Sequence, residues 1–124
     1  MAPPPAVYII DDDEAVRDSL AILLETHGFE VTTYETARAF LDHAERGIGG
    51  VVITDVQMPE MNGLQLLHAF KARNLHVPVL VITARSGRVL ADQALAEGAR
   101  AVIEKPFAPG AFVEAVRSAL DEAA

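Results

Sequence analysis

Val51-Val52-Ile53-Thr54-Asp55-Val56-Gln57-Met58-Pro59-Glu60-Met61-Asn62-Gly63 is an apolar run that reaches a carboxylate and then enters a loop too rich in breakers to be helical. Three more runs have this form: Val7-Tyr8-Ile9-Ile10 before Asp11-Asp12, Val79-Leu80-Val81-Ile82 before Thr83, and Ala101-Val102-Ile103 just ahead of Lys105. Segments with helical apolar spacing lie between them. Short apolar strands alternating with helices build parallel sheets with crossover helices, and the ligand sites of such sheets lie outside the strands' carboxyl ends. Acid, hydroxyl and amine are therefore expected to meet at one edge.

Outward from that stretch, Val16, Leu20, Leu23 and Leu24 recur at helical spacing until Gly28, with Asp12 or Asp13 as the cap. Phe29 to Tyr34 alternates as an edge strand does, and Thr36 caps a short helix carrying Ala37, Phe40, Leu41 and Ala44, closed by Gly47, Gly49 and Gly50. Leu64, Leu67 and Phe70 mark the inner face of a third helix, whose negative end suits Lys71 and Arg73. After Pro78 and the fourth strand, a loop through Arg85-Ser86-Gly87 leads to a helix read from Val89, Leu90, Ala94 and Leu95 and stopped at Gly98. The last helix starts near Pro109 and buries Phe112, Val113, Val116 and Leu120. Five strands and five helices alternate without repeats or a linker, which predicts one α/β sandwich of three layers. Residues 1–6 read as a flexible tail, and 7–122 as the domain.

The 124 residues are 51% apolar, enough for a real core. Ten Lys and Arg against eighteen Asp and Glu give a net charge of −8, which repels a phosphate backbone and argues against direct nucleic acid binding. There is no cysteine, hence no disulfide framework and no thiolate metal site. No apolar stretch approaches the roughly 18 residues of a membrane span, and Met1-Ala2-Pro3-Pro4-Pro5 lacks the features of a signal peptide. A soluble protein without membrane contact, located in the cytoplasm, is the expectation.

Three carboxylates near one point repel each other: a pair about 4 Å apart costs on the order of 4 kcal/mol at an effective dielectric near 20. A cation should balance them. The candidate ligands Asp11, Asp12 and Asp55 offer hard oxygens, which suit Mg²⁺ or Mn²⁺ far better than Zn²⁺. Lys105 adds a mobile positive charge and Thr83 a hydroxyl, which together describe a phosphoryl site. Asp55 stands alone at a strand end and is the best nucleophile for an acyl phosphate, whereas the adjacent Asp11 and Asp12 are better suited to hold metal. Taken singly, each is more simply a cap or a surface group. Their shared placement at one sheet edge favours chemistry. His27, His43, His68 and His76 show no ligand spacing and receive no role.

The acidic pair Asp11-Asp12, the run from Asp55 to Gly63, Thr83-Ala84, and Lys105-Pro106-Phe107 resemble the receiver domain of bacterial two-component response regulators. Tyr8 to Arg17 and Ile103 to Phe107 are most similar to the FixJ group. The resemblance spans the chain from Val7 to the last helix. It implies a flavodoxin-like fold with sheet order 2-1-3-4-5 and a sensor histidine kinase as phosphoryl donor, with Asp55 as acceptor. It further implies Mg²⁺ (or Mn²⁺) on Asp12, Asp55 and the Gln57 backbone carbonyl, with Asp11 acting mainly through water. Thr83 would swing toward the phosphoryl group, Lys105 would pair with it, and the Lys105-Pro106 peptide would be cis. Ala84 keeps access open, while Gln57 and Arg85 either shield or admit hydrolytic water. The output is a downstream protein or a covalently linked domain outside this chain, and a phosphorylation-dependent dimer is admitted.

One position departs from the family pattern. Receivers usually carry Tyr or Phe three residues before the lysine, and here that place is Val102. Valine has no ring to rotate, so signalling is expected to run through a backbone shift of residues 85–89. Two rival readings remain at this point. A phosphatase of the haloacid dehalogenase type would use Asp11 as nucleophile, but it leaves the Met58-Pro59 loop unexplained. A receiver that signals by protein contact alone, without phosphorylation, is favoured only by Val102.

Overall fold

The computed structural model describes residues 6–44 and 49–123. Five strands, β1 (Ala6–Ile10), β2 (Glu30–Tyr34), β3 (Val51–Asp55), β4 (Val79–Thr83) and β5 (Ala101–Glu104), form one sheet in the order β2-β1-β3-β4-β5. Every pairing is parallel. The connecting helices are α1 (Glu14–Thr26), α2 (Ala37–His43), α3 (Gly63–Ala72) and α4 (Arg88–Ala96), with α5 (Pro109–Ala123) after β5. Strand β1 takes in Ala6, the residue assigned to the tail, while residues 1–5 and the helix stop placed at Gly47 lie outside the described residues. None of the described helices is long and apolar enough to cross a membrane.

Strand alternation divides the core into two layers. Val7, Ile9, Val51, Ile53, Leu80 and Ile82 face α1 and α5, meeting Leu20, Leu24, Phe112 and Val116. Ile10, Val52, Val79 and Val81 face the other way, toward Phe40, Leu66, Phe70 and Ala94 of α2, α3 and α4. A strand covered on both faces must be apolar throughout, and that explains the unbroken runs in β3 and β4. Edge strand β2 is less buried: Val31 packs toward the α1–α5 layer and Tyr34 toward the α2–α4 layer, while Glu30, Thr32 and Thr33 are exposed.

Asp13 caps α1, accepting hydrogen bonds from the Ala15 and Val16 amides, and so settles the choice between positions 12 and 13. Thr36 caps α2, and Asn62 with Gln65 forms a reciprocal capping box on α3. Three helices end alike. Past α1, α3 and α4 the chain turns at Gly28, Asn74 and Gly98, all at positive φ, and Phe29, Leu75 and Ala99 donate back to Leu24, Phe70 and Ala94.

Three inner faces differ from the expected ones. On α4, Val89 is 74% exposed and Leu95 43%, while the small Ala91 and Ala94 face the sheet. On α3 it is Leu66, with Leu67 and Phe70, that is buried, and Leu64 is only half-buried. In α5, Ala119 is buried where Leu120 is half-buried.

Candidate functional site

The strands' carboxyl ends bring the predicted residues together. Asp55 ends β3, the central strand, and its side chain is 15% exposed. Its Oδ1 accepts the Gln57 amide at 2.9 Å, and its Oδ2 lies 3.3 Å from Lys105 Nζ. The loop after it returns through a hydrogen bond from the Gly63 amide to the Val56 carbonyl, which leaves Asp55 at the mouth of the sheet.

Asp11 follows β1 and is almost wholly buried. The Asp13 amide donates to its Oδ1 at 2.9 Å, its own amide donates to the Tyr34 carbonyl, and Arg17 Nη1 donates to its carbonyl at 2.7 Å. Burial pushes the Asp11 carboxyl above the usual carboxylate range. The Asp13 amide opposes the shift, Asp55 adds to it, Lys105 opposes it and Asp12 adds a little more. Asp55, Lys105 and Asp12 therefore all act electrostatically on Asp11. Asp12, next in the chain, is exposed.

Asp11 Oδ2 is buried and has no hydrogen-bond partner. A buried carboxylate oxygen without a partner costs about 1–3 kcal/mol or more, so the fold holds an acceptor that calls for a cation. Among the described residues no three acids or histidines close into a protein-only metal cage. Two carboxylates, a backbone carbonyl and water are the donor set that Mg²⁺ prefers, and the residues present fit it.

Thr83 ends β4 and is fully buried, its hydroxyl donating to the Ala84 carbonyl at 2.7 Å. Ala84 and Arg85 are exposed beside it. The Lys105-Pro106 peptide is cis. Val102 pairs with Val81 across the sheet and packs, half-buried, against the α2–α3–α4 layer. A groove of about 600 Å³ opens beside Lys105, lined by Ala15, Val16, Ser19 and Leu23 of α1 and by Phe107 and Pro109.

A lysine and a lone aspartate at a sheet end, an acidic pair with an unsatisfied oxygen, and a buried strand-end hydroxyl form one constellation. The model of the response regulator receiver domain matches residues 7–117. The chain belongs to the response regulator receiver family. It is 45% identical to the transcriptional regulatory protein FixJ of Azorhizobium caulinodans over 95% of this chain and 56% of that protein. Identity to FixJ of Bradyrhizobium diazoefficiens is 40%, over 94% of this chain and 57% of that protein. The crystal structure of FixJ-N superposes with a TM-score of 0.90 at 38% identity, covering 97% of this chain and 96% of that one. The chain thus spans a little over half the length of the curated regulators it matches.

Family membership displaces the phosphatase reading, and the geometry agrees, since Asp11 is nearly inaccessible to a substrate. Two residues at the site escaped the sequence reading: Arg17 and Tyr34. Arg17 lies one turn into a helix capped at Asp13, which places it back over Asp11, and that spacing was a usable signal. Tyr34 acts only through its carbonyl, which no side-chain pattern reports.

Proposed function

We infer that this chain is a phosphorylation-controlled switch that takes a phosphoryl group onto Asp55 from a sensor histidine kinase. The supporting observation is Asp55 itself, an accessible carboxylate at the end of the central strand with an ammonium 3.3 Å away. An Asp55 oxygen attacks the phosphohistidine phosphorus; the new P–O bond forms as the P–N bond breaks, and the nitrogen keeps the electron pair. Lys105 meets the charge that gathers on the phosphoryl oxygens, and the Gln57 amide orients the carboxylate. Asp12, Asp55 and the Gln57 carbonyl would hold Mg²⁺ or Mn²⁺, with Asp11 acting through water. Such an ion supplies charge neutralisation on the phosphoryl oxygens.

The same groups serve self-catalysed transfer from a small phosphodonor and later autodephosphorylation. The switched protein then acts on a downstream partner or a linked output domain, with dimer formation one means of doing so. Intact-mass analysis after treatment with acetyl phosphate and magnesium tests the reading: one added phosphoryl group is expected, absent in Asp55→Asn. Phosphotransfer from a kinase separates it from a receiver that works by contact alone.

A further inference from the structure

Gly87 ends the short 3-10 turn Arg85–Gly87, starts α4, and is buried. Its φ of −97° is open to any residue, so the backbone does not demand glycine. The surrounding space does. A methyl group on Gly87 would overlap the Thr83 hydroxyl oxygen and touch Cδ and Oε1 of Gln57, each at 3.1 Å. The Ala84 carbonyl holds this knot together, accepting the Thr83 hydroxyl at 2.7 Å and the Gly87 amide at 3.0 Å. A threonine hydroxyl has a single proton, and here it is committed to Ala84.

We propose that Gly87 is a positioning residue for the phosphoryl site, its missing side chain forming the seat in which α4 receives the Thr83 hydroxyl under the cover of Gln57. The proposal rests on Asp55 as phosphoacceptor. When the hydroxyl turns toward a phosphoryl group on Asp55, it leaves Ala84 and vacates the space against Gly87. An emptied space loses its packing contacts, so the first turn of α4 closes onto it. Movement at the site thereby becomes movement of residues 85–89, with no aromatic ring needed at Val102.

Gly87→Ala tests this, because the atoms it displaces are the ends of two side chains rather than backbone. In the unliganded variant, three-bond couplings to Thr83 Cγ2 should show χ1 moved by about 120°, from one staggered well to another. With beryllofluoride and magnesium added, the amide shifts of residues 84–90 should change less than in the wild type, because the methyl group fills the space onto which α4 would close. In a Thr83→Ala background, where no hydroxyl occupies that space, the same substitution should leave the response unaltered. An unchanged Thr83 rotamer, or an equal loss of response without the hydroxyl, overturns the proposal. The rotamer is read without phosphorylation, so a wild type that accepts no phosphoryl group would sink the acceptor reading separately.

Discussion

Lys105 and Asp55 stand 50 positions apart in the chain, yet Nζ and Oδ2 meet at 3.3 Å across the ends of β3 and β5. This is the contact a phosphoryl group would enter, gaining the ammonium as its counter-charge. Lys105→Met is expected to slow phosphorylation of Asp55 by acetyl phosphate about 100-fold, the usual cost of losing one preorganised donor. Lys105→Arg should restore only part of the rate, because the guanidinium is a planar fork rather than a point charge. Time courses of intact mass provide the measurement, and a rate unchanged in Lys105→Met would remove the lysine from the chemistry.

The unpartnered Asp11 oxygen predicts a pH and metal dependence of stability. A carboxyl whose pKa is higher in the folded than in the unfolded chain favours folding fully below the unfolded value, and that favour is lost as pH rises through the folded value. In the presence of a chelator at neutral pH, Asp11→Asn should therefore be more stable than the wild type by about 1 kcal/mol. The gap should shrink as the pH falls to the acidic side. Magnesium should stabilise the wild type more than the variant, by mass action on the folded form. Urea denaturation at both pH values, with and without magnesium, checks each point.

The groove between α1 and Phe107–Pro109 contains Lys105 itself, so a protein donor seated there would bring its phosphohistidine beside Asp55. Ser19→Arg puts a bulky cation into that groove without touching the acids. Transfer from a histidine kinase active on the wild type should fall roughly tenfold, the scale of an interface residue worth more than 1 kcal/mol. The rate with acetyl phosphate should stay as it is. If both rates fall together, the groove is not a docking surface.

Phe40 carries the packing beneath the acids. It is 1% exposed, and its ring lies 5.7 Å from Tyr8, 5.3 Å from Tyr34 and 5.7 Å from Phe70 between centroids. Phe40→Ala should cost about 3–5 kcal/mol in denaturant unfolding. Because Tyr34 also supplies the carbonyl that holds the Asp11 amide, hydrogen exchange at Asp11 should quicken in the same variant.

The strands and their order of appearance were legible because a strand covered on both faces admits only apolar residues, as in Val51–Ile53 and Val79–Ile82. The placement of the candidate site was legible because its groups follow those runs directly. The inner face of α4 was not, since large side chains at Val89 and Leu95 outweighed the small Ala91 and Ala94 in any apolar pattern. Close approach of a helix to a sheet selects for small residues, and hydropathy scarcely registers them. Asn74 was passed over as a helix end for a related reason: its role lies in a backbone angle, for which glycine is the expected sign.

The three alike turns at Gly28, Asn74 and Gly98 all lie at the end of the sheet remote from Asp55. That rim is closed by main-chain hydrogen bonds, so the identity of most side chains along it matters little. Substitutions there can alter surface charge or create new contacts while the opposite rim, which carries Asp55, keeps its shape.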